Sequence, residues 1–365
     1  YNSLLKNTLL SVLRGSNEDA DFHQLDNESP ERHREILGNV LISSNKHWKE
    51  DTLSLIDQIW KVEATGRRKV SLDGIPTLQT VQGTNFSLWQ GDITQLQGES
   101  LAIVNAANDQ GLGCFVPHHK CIDNVIHRAA SPRLRMECHQ VMKERVTPLT
   151  AGSKPILTSG HFLPSSHVIH VTGPQVKRKP SKEDRIHLSK AYEFSLDLAA
   201  TNGIRSVAFP CISTGLFGFP AVEASGVAIS AVVSWLLRNP RSLDRVIFNV
   251  FTDKDLALYQ DNLGVIHMYS DRESMPPVQQ DSIRKRTIDV AKKWIDDADA
   301  VLICAGAGMS VKEGEMVYTN PDDFAKAYPW FPKWGYKTSY ECMGLPGDHS
   351  VPENAKWALH AKHMD

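Results

Sequence analysis

The sequence predicts a three-layer α/β domain with a mixed, largely parallel central sheet. Short apolar runs alternate with amphipathic helices, and several of the runs end in polar loops that contain glycine. Helices of this length between consecutive strands are typical of parallel crossover connections. The predicted strands are residues 86–90, 101–104, 168–172, 206–209 and 245–251, and the predicted helices are residues 122–130, 133–143, 181–200 and 221–237.

The α/β domain is predicted to span residues 81–270, after a helical N-terminal extension of residues 1–80. The extension has apolar residues at helical spacing and is expected to pack on the next domain as a cap. Residues 271–282 contain Pro276-Pro277 and are predicted to be a linker. Residues 283–365 are predicted to begin a partial Rossmann-like unit, too short to complete a nucleotide-binding domain.

The composition is that of an ordinary soluble globular protein and disfavours several partners. The formal net charge of −2 gives no basic field that would favour nucleic acid. No apolar run approaches the roughly 18 residues of a membrane span, so no membrane contact is expected. The six cysteines are sparse for 365 residues, which is typical of reduced thiols in an intracellular protein. A location in the cytosol or the mitochondrial matrix is therefore expected.

The loop after the predicted strand 101–104 carries the most specific chemistry. It contains Cys114, His119 and Cys121, and thiolates and imidazole are ligands that zinc prefers. Three protein ligands with one open position are typical of a catalytic zinc, and His118 could take the place of His119. The competing interpretation is two buried cysteines beside a surface histidine, since cysteine is often a small core residue. Spacing alone leaves both interpretations open.

Two other loops that follow predicted strands indicate a nucleotide ligand. Residues 213–218 contain glycines that let backbone N–H groups approach a diphosphate, and Asp92 could accept a hydrogen bond from an adenine amino group. Because loops at the carboxyl ends of parallel strands meet at one edge of a sheet, all three loops are expected to line one crevice. Each loop alone is a weak signal, because a Ser-Thr-Gly turn is often only a turn.

Together, these loops resemble those of the macrodomain family, which binds ADP-ribose. The resemblance covers about residues 88–265 and implies the macrodomain fold. Residues 113–124 are similar to the loop of the zinc-dependent macrodomains, which also carry a helical N-terminal extension. This likeness implies the zinc ligands Cys114, His119 and Cys121 and the hydrolysis of mono-ADP-ribose from protein side chains, with acidic acceptors expected. The matching motifs are Gly91-Asp92-Ile93-Thr94, Val104-Asn105-Ala106-Ala107-Asn108, Ile169-His170-Val171-Thr172-Gly173-Pro174 and Ile212-Ser213-Thr214-Gly215-Leu216-Phe217-Gly218.

The resemblance also implies how the ligand lies. The adenine is expected beside Asp92 and Ile93, and the distal ribose beside zinc and the catalytic residues Asn105 and Asn108. Asp123 is expected to act as a base or to orient a zinc ligand, or alternatively to cap the helix that follows. The chain lacks the glycine run ending in an acid that other macrodomain hydrolases carry, so zinc is expected to take part of the role of that acid. The diphosphate is expected to lie against Ser213, Thr214, Gly215, Leu216, Phe217 and Gly218.

Two other functions compete with hydrolysis of an ADP-ribose linkage. A reader module would bind ADP-ribose without cleaving anything, and the fold alone does not distinguish a reader from an enzyme. The three metal ligands favour the enzyme, because a reader needs no open metal position. A metal-dependent nucleotide phosphohydrolase would need a carboxylate cluster for magnesium, which these loops lack.

The C-terminal segment, residues 283–365, resembles a second family. The apolar run 300–304 and the loop after it are similar to the opening strand and NAD-binding loop of the class M sirtuins, which are protein ADP-ribosyltransferases. The resemblance implies NAD bound at Gly306, Gly308 and Ser310, provided that the domain is complete. The residues that carry out transfer in that family have no counterpart up to Asp365, so this segment is not expected to be catalytic as it stands.

Overall fold

The computed structural model describes residues 1–16 and 28–270. The predicted linker 271–282 and the segment 283–365, with Gly306, Gly308 and Ser310, lie outside the described residues.

In the described part of the N-terminal region, helices α1 (Asn2–Ser16), α2 (Pro30–Ser43) and α3 (Glu50–Gly66) open the chain. Ser29 ends the preceding segment and caps α2, because its Oγ accepts a hydrogen bond from the Arg32 amide and Pro30 occupies the first helical turn. The three helices share an apolar core of their own. Its fully buried members include Leu5, Leu9, Leu37, Leu53, Ile56 and Ile59.

The helical region ends at Gly66, whereas the sequence predicts it up to residue 80. Two short strands follow it, β1 (Val70–Ser71) and β2 (Gln79–Val81). Backbone pairing overrides the helical prediction here, since β1 pairs with the start of β4 and β2 pairs with β3. The remaining strands are β3 (Thr84–Gln90), β4 (Leu96–Ala106), β5 (Ile156–Ser159), β6 (Ser165–Val171), β7 (Ser206–Phe209) and β8 (Arg245–Val250).

Within the described residues these strands form one mixed sheet in the order β2-β3-β8-β7-β4-β6-β5, with β1 beside β4. The five central strands in this order, β3, β8, β7, β4 and β6, run parallel to one another. The edge strands are antiparallel to their neighbours, β2 to β3 and β5 to β6. The prediction of a mixed, largely parallel sheet is confirmed. The sequence did not predict β5, whose short Ile-Leu-Thr-Ser run lies between loops.

Helices cover both faces of the sheet, as a three-layer fold requires. They are α4 (Ile122–Ala130), α5 (Pro132–Glu144), α6 (Lys182–Thr201), α7 (Ala221–Arg238) and α8 (Asp253–Ser270). Side chains alternate along β4, so that Val104 packs with α6 and α7 while Ile103 packs with α4 and α5. The N-terminal helices lie against α4, where the Trp60 Nε1 donates to the Arg128 carbonyl at 2.9 Å.

Helix α7 is an exception to the expectation that no segment has the composition of a membrane span. It has 18 residues and a mean hydropathy of 1.4, which is enough by length and composition to cross a membrane. One face of the helix belongs to the core of the α/β domain, however, because Ala228, Val232 and Leu236 are fully buried there. A buried core helix accounts for this composition.

Replacing Leu37 with alanine should lower the free energy of unfolding by about 2–5 kcal/mol, because the variant leaves a cavity as well as losing buried apolar surface. Urea denaturation measures the change. Val62→Ala on α3 is the matched control, since Val62 is 52% exposed and its truncation should cost less than about 0.5 kcal/mol. Equal losses in the two variants would contradict the assignment of this core.

Candidate functional site

The loops at the carboxyl edge of the parallel strands lie side by side, as the sequence predicts. The ends of β3 and β8 are tied together, because Gly91 N donates to the Val250 carbonyl and Asn249 Nδ2 donates to the Gly91 carbonyl, each at 3.0 Å. The loops after β6 and β7 meet where Gly173 lies against Ser213. A Cβ atom on Gly173 would stand 2.1 Å from Ser213 Oγ, so only glycine allows this approach.

The Cys/His loop brings together the three predicted metal ligands. The Cys114 Sγ lies 3.3 Å from the His119 Nδ1, and the donor atoms of Cys114, His119 and Cys121 all lie within 4.8 Å of one another. His118 is exposed and does not belong to this group. Two thiol sulfurs and one imidazole nitrogen gathered in this way fit the donor preference of zinc. The loop is curled around the Asn124 Nδ2, which donates to the carbonyls of Val116, Pro117 and His119.

Cys121 also begins the helix that follows the loop. It is the N-cap of α4, and its Sγ accepts from the Asn124 amide at 3.4 Å. Burial, and to a smaller extent the neighbouring Cys114 sulfur, raise the pKa of the Cys121 thiol to about 11. A metal ion bound there would therefore have to displace a proton. The alternative role of Asp123 as the helix cap is wrong, because Cys121 occupies that position and Asp123 is buried in the first turn.

Asp123 instead faces Asn105 at the end of β4. The Asn105 Nδ2 donates to Asp123 Oδ1 at 2.7 Å and to His170 Nδ1 at 3.1 Å. Since an amide nitrogen only donates, His170 accepts at Nδ1 and carries its proton on Nε2, which donates to Thr158 Oγ1 at 2.9 Å. Both N–H groups of Asn105 are thus held inward. Its buried Oδ1 has no hydrogen-bond partner among the described residues, so it is an unsatisfied acceptor.

A second histidine lies behind this network. His127 is buried, and its Nε2 is 3.5 Å from Asp123 Oδ1. Its ring fills the space beside Gly113, where a Cβ atom would come within 2.7 Å of the imidazole. Burial raises the pKa of Asp123 to about 6 and lowers the pKa of His127 well below its usual range. His127, Cys138 on α5 and His170 also bring donor atoms within 4.8 Å of one another, and all three side chains are buried.

Asn108 shapes the loop after β4. Its Oδ1 accepts from the amides of Gln110 and Gly111, at 3.1 and 3.2 Å, and its Nδ2 donates to the Gly113 carbonyl at 3.1 Å. The Asn108 carbonyl in turn accepts from Thr172 Oγ1 at 3.1 Å, which joins this loop to the end of β6. The amide group of Asn108 is therefore engaged by the loop backbone, whereas Asn105 keeps a free oxygen.

The predicted diphosphate loop is a tight turn after β7. Ser213 adopts a left-handed backbone with φ of 66°, and its buried Oγ has no partner in the part of the chain that the structure describes. The Phe217 carbonyl accepts from the Val176 amide at 2.6 Å, and Gly218 has φ of 69° with no room for a Cβ beside the Val176 carbonyl. The remaining members are Thr214, whose Oγ1 donates to the Cys211 carbonyl at 2.9 Å, and the exposed Gly215 and Leu216.

The predicted adenine residues lie at the far end of this edge. Asp92 Oδ1 accepts from the Thr94 amide at 3.0 Å and from Thr94 Oγ1 at 2.7 Å, so part of the carboxylate is engaged locally. Ile93 is 1% exposed and packs in the core, which leaves only its backbone to meet a ligand. Phe251 directly follows β8, next to the loop of Asp92, and its ring is 75% exposed.

Phe251, His170 and Arg135 were not predicted as functional residues. A phenylalanine directly after a buried strand is a sequence signal for an aromatic at this edge, and it could have indicated Phe251. His170 stands inside a strand pattern, where a histidine is ordinarily structural. Arg135 lies on α5 and reaches the loop only through the tertiary structure.

Replacing His170 with glutamine should make stability less dependent on pH. Burial holds the pKa of His170 at about 3, below its usual 6.5, so as the pH falls below 6.5 the unfolded chain binds a proton that the folded protein excludes. Between about pH 7.5 and about pH 5 the wild type should lose about 2 kcal/mol more than the variant. Urea denaturation at both pH values, with a chelator present, measures this difference. The exposed His118→Gln is the control, and a wild-type slope in the His170 variant would contradict the prediction.

The sequence of this chain is similar to the sequences of several known proteins. The Macro domain family matches residues 104–228. A protein of Fusarium oxysporum f. sp. cubense named "Probable bifunctional ADP-ribose hydrolase/ADP-ribosyltransferase" is 42% identical over 290 residues, which are 77% of this chain and 47% of that protein. This chain therefore spans about half the length of that relative.

Two bacterial relatives are shorter. A protein-ADP-ribose hydrolase of Staphylococcus aureus (strain MSSA476) is 44% identical over 185 residues, which are 50% of this chain and 68% of that protein. A protein-ADP-ribose hydrolase of Treponema medium is 36% identical over 247 residues, which are 66% of this chain and 92% of that protein. Since the likeness extends over nearly the whole Treponema protein and includes the Macro domain match, the chain belongs to the macrodomain family.

Proposed function

We propose that this protein is a zinc-dependent hydrolase that removes mono-ADP-ribose from modified protein side chains. The observation that carries the proposal is the cluster of Cys114, His119 and Cys121 beside the buried pair of Asn105 and Asp123. Relatives named as protein-ADP-ribose hydrolases support the substrate class. The cluster supports a metal, because two sulfurs and an imidazole nitrogen whose donor atoms lie within 4.8 Å of one another match the ligand types that zinc prefers.

Zinc would be held by Cys114, His119 and Cys121, with protein ligands in three of its four positions. When bound, it would supply a Lewis acid beside the distal ribose, which polarises oxygen atoms there without a change of protonation in a side chain. The Asn124 amide keeps the loop curled, so that all three donors face one point. Three ligands leave a position for substrate, which supports an enzyme over a purely structural metal.

Asn105 supplies the acceptor that orients the ribose. Its two N–H groups are held by Asp123 and His170, and its free Oδ1 can therefore only accept. A ribose hydroxyl is a donor of the right kind, and pairing with it would satisfy a buried oxygen that is otherwise without a partner. Asp123 acts through Asn105 by fixing its orientation, and Asn108 acts by holding the loop in shape.

The rest of ADP-ribose would lie along the carboxyl edge of the sheet. The diphosphate would meet backbone N–H groups of residues 213–218, where Gly218 and the left-handed Ser213 allow the backbone to approach closely. The adenine would stack on the exposed ring of Phe251, with Asp92 beside it as an acceptor for the amino group. Acceptor side chains of the modified protein would be aspartate or glutamate, because an ester at the anomeric carbon has a carboxylate leaving group.

A reader of ADP-ribose is the second candidate, since the same edge would bind the ligand without the metal. The metal donor group favours the enzyme, because recognition of ADP-ribose alone does not use it. For residues 283–365, we propose the beginning of an NAD-binding unit at Gly306, Gly308 and Ser310. The name of the Fusarium relative, which includes ADP-ribosyltransferase, supports this assignment.

Cys114→Ala and His119→Ala should each lower the rate of ADP-ribose release by more than about 100-fold, because changes outside the ligand set alone cost roughly 10–100-fold. The assay measures free ADP-ribose released from aspartate-linked and serine-linked mono-ADP-ribosylated proteins, together with the zinc content of each variant. His118→Ala is the matched control and should retain activity, since His118 is outside the donor group.

Full activity of Cys114→Ala, or of protein stripped of metal with a chelator, would exclude the zinc mechanism. Binding of ADP-ribose by the wild type without any release would favour the reader instead.

Phe251→Ala should weaken binding of free ADP-ribose by about 5-fold to 150-fold, since stacking of a base on an aromatic ring contributes about 1–3 kcal/mol. Isothermal titration calorimetry measures the dissociation constant. Val146→Ala, at a residue that is 98% exposed after α5, is the control and should bind as the wild type does. An unchanged affinity in Phe251→Ala would place the adenine elsewhere.

A further inference from the structure

One arginine joins the N-terminal helices to the Cys/His loop. Arg135 lies on α5 and is 6% exposed, and its side-chain hydrogen bonds to the described residues end at backbone carbonyls rather than at a carboxylate. Its guanidinium carbon also lies 4.2 Å from the centre of the Phe115 ring in the loop. The acceptors are Leu41, Ile42 and Ser44 at the end of α2, at 3.2, 2.7 and 2.7 Å, and Leu112 and Cys114 in the loop, at 2.9 and 3.0 Å.

This arrangement explains how a buried cation is accommodated. The last carbonyls of a helix have no intrahelical partners and carry the negative end of the helix dipole, so the end of α2 is a favourable site for positive charge. The planar fork of a guanidinium can face two groups of acceptors at once, with Nη1 toward α2 and with Nε and Nη2 toward the loop. A lysine has a single ammonium group and cannot face both.

A second arginine ties the opposite side of the loop to the same helix. The Arg128 Nη2 donates to the Pro117 carbonyl at 2.8 Å and to Asn39 Oδ1 on α2 at 2.9 Å. Gly38 makes room for this guanidinium, because a Cβ atom there would come within 2.7 Å of it. The Trp60 Nε1 of α3 donates a hydrogen bond to the backbone carbonyl of Arg128. The loop is therefore anchored to the N-terminal helices at two places. Arg135 holds it at Leu112 and Cys114, and Arg128 holds it at Pro117.

We propose that the N-terminal helices are part of the scaffold of the metal centre, and that Arg135 is the residue that positions the Cys/His loop on them. The inference rests on the proposed function of that loop. Arg135 contacts none of the three donor atoms. It holds the carbonyl of Cys114 itself and that of Leu112, and so sets where the first sulfur stands relative to His119 and Cys121.

The test compares Arg135→Lys with Arg133→Lys. Arg133 is a matched control, because its side chain joins the same helix α5 to α3 through hydrogen bonds to Asp57 and Glu50 rather than to the loop. Three quantities are measured: the zinc dissociation constant by competition with a chelator, the rate of amide hydrogen exchange of residues 112–121 in metal-free protein, and kcat and KM for release of ADP-ribose.

Arg135→Lys should raise the zinc dissociation constant by roughly 10–100-fold, accelerate exchange in the loop of the metal-free protein, and lower kcat more than it raises KM. Arg133→Lys should leave the zinc affinity and the loop exchange unchanged. If Arg135→Lys does not fold, Asn39→Ala removes only the helix side of the Arg128 contact and should produce the same changes with smaller amplitude.

Zinc affinity and loop exchange within twofold of the wild type in Arg135→Lys, or equal changes in Arg133→Lys, would overturn the inference. A wild-type protein that binds no zinc would instead overturn the proposed role of the loop. In that case, the exchange measurement on metal-free protein still decides whether Arg135 orders residues 112–121.

Discussion

The candidate site depends on a buried amide at the end of β4. Asn105 is fully buried, and its two N–H groups are fixed by Asp123 and His170, which come from α4 and β6. An unpaired polar group costs much more in such an environment than in water, so the three side chains determine each other's orientation. His170 is in turn fixed by Thr158 on β5, and the network thereby extends across three elements of the sheet edge.

Hydrogen bonds from neighbouring helices hold the backbone of the loop after Asn105, and this backbone carries the Cys and His side chains. Side chains on α4 and α5 donate hydrogen bonds to five carbonyls of this loop. Asn124 donates to three of them, Arg128 donates to one of the same three, and Arg135 donates to the remaining two, those of Leu112 and Cys114. The donors come from α4 and α5, which the N-terminal helices support from outside. The candidate metal ligands therefore lie on an irregular loop, much of whose backbone is hydrogen-bonded to neighbouring side chains.

The chemistry proposed here divides between the metal loop and the sheet edge. In this proposal, zinc held by the loop would take part of the role that an acidic side chain has in other macrodomain hydrolases, and Asn105 would accept a hydrogen bond from the sugar. The turn after β7 and Phe251 provide contacts that are independent of the metal. Binding and cleavage can therefore be separated experimentally, which is the physical basis for distinguishing a hydrolase from a reader on one fold.

The sequence alone was sufficient for much of the fold and for the grouping of Cys114, His119 and Cys121 as candidate metal donors. Periodicity places the strands from β3 to β8 other than β5, since those runs are apolar and bounded by turns, whereas β1, β2 and β5 are short and exist only because a neighbouring strand pairs with them. The residue types of the Cys/His loop drew attention to a metal site, whereas their spacing alone left two buried cysteines beside a surface histidine as an equal alternative.

The tertiary structure decided which polar groups are free and which are engaged. Asn105 and Asn108 look alike in the sequence, yet only Asn105 keeps an available oxygen, because the loop backbone engages the amide of Asn108. His118 and His119 are adjacent, yet the turn directs only His119 toward Cys114. Asp123 could cap a helix by its position, but Cys121 does so. The position of Arg135 between α2 and the loop depends on contacts between segments far apart in the chain, which no local pattern encodes.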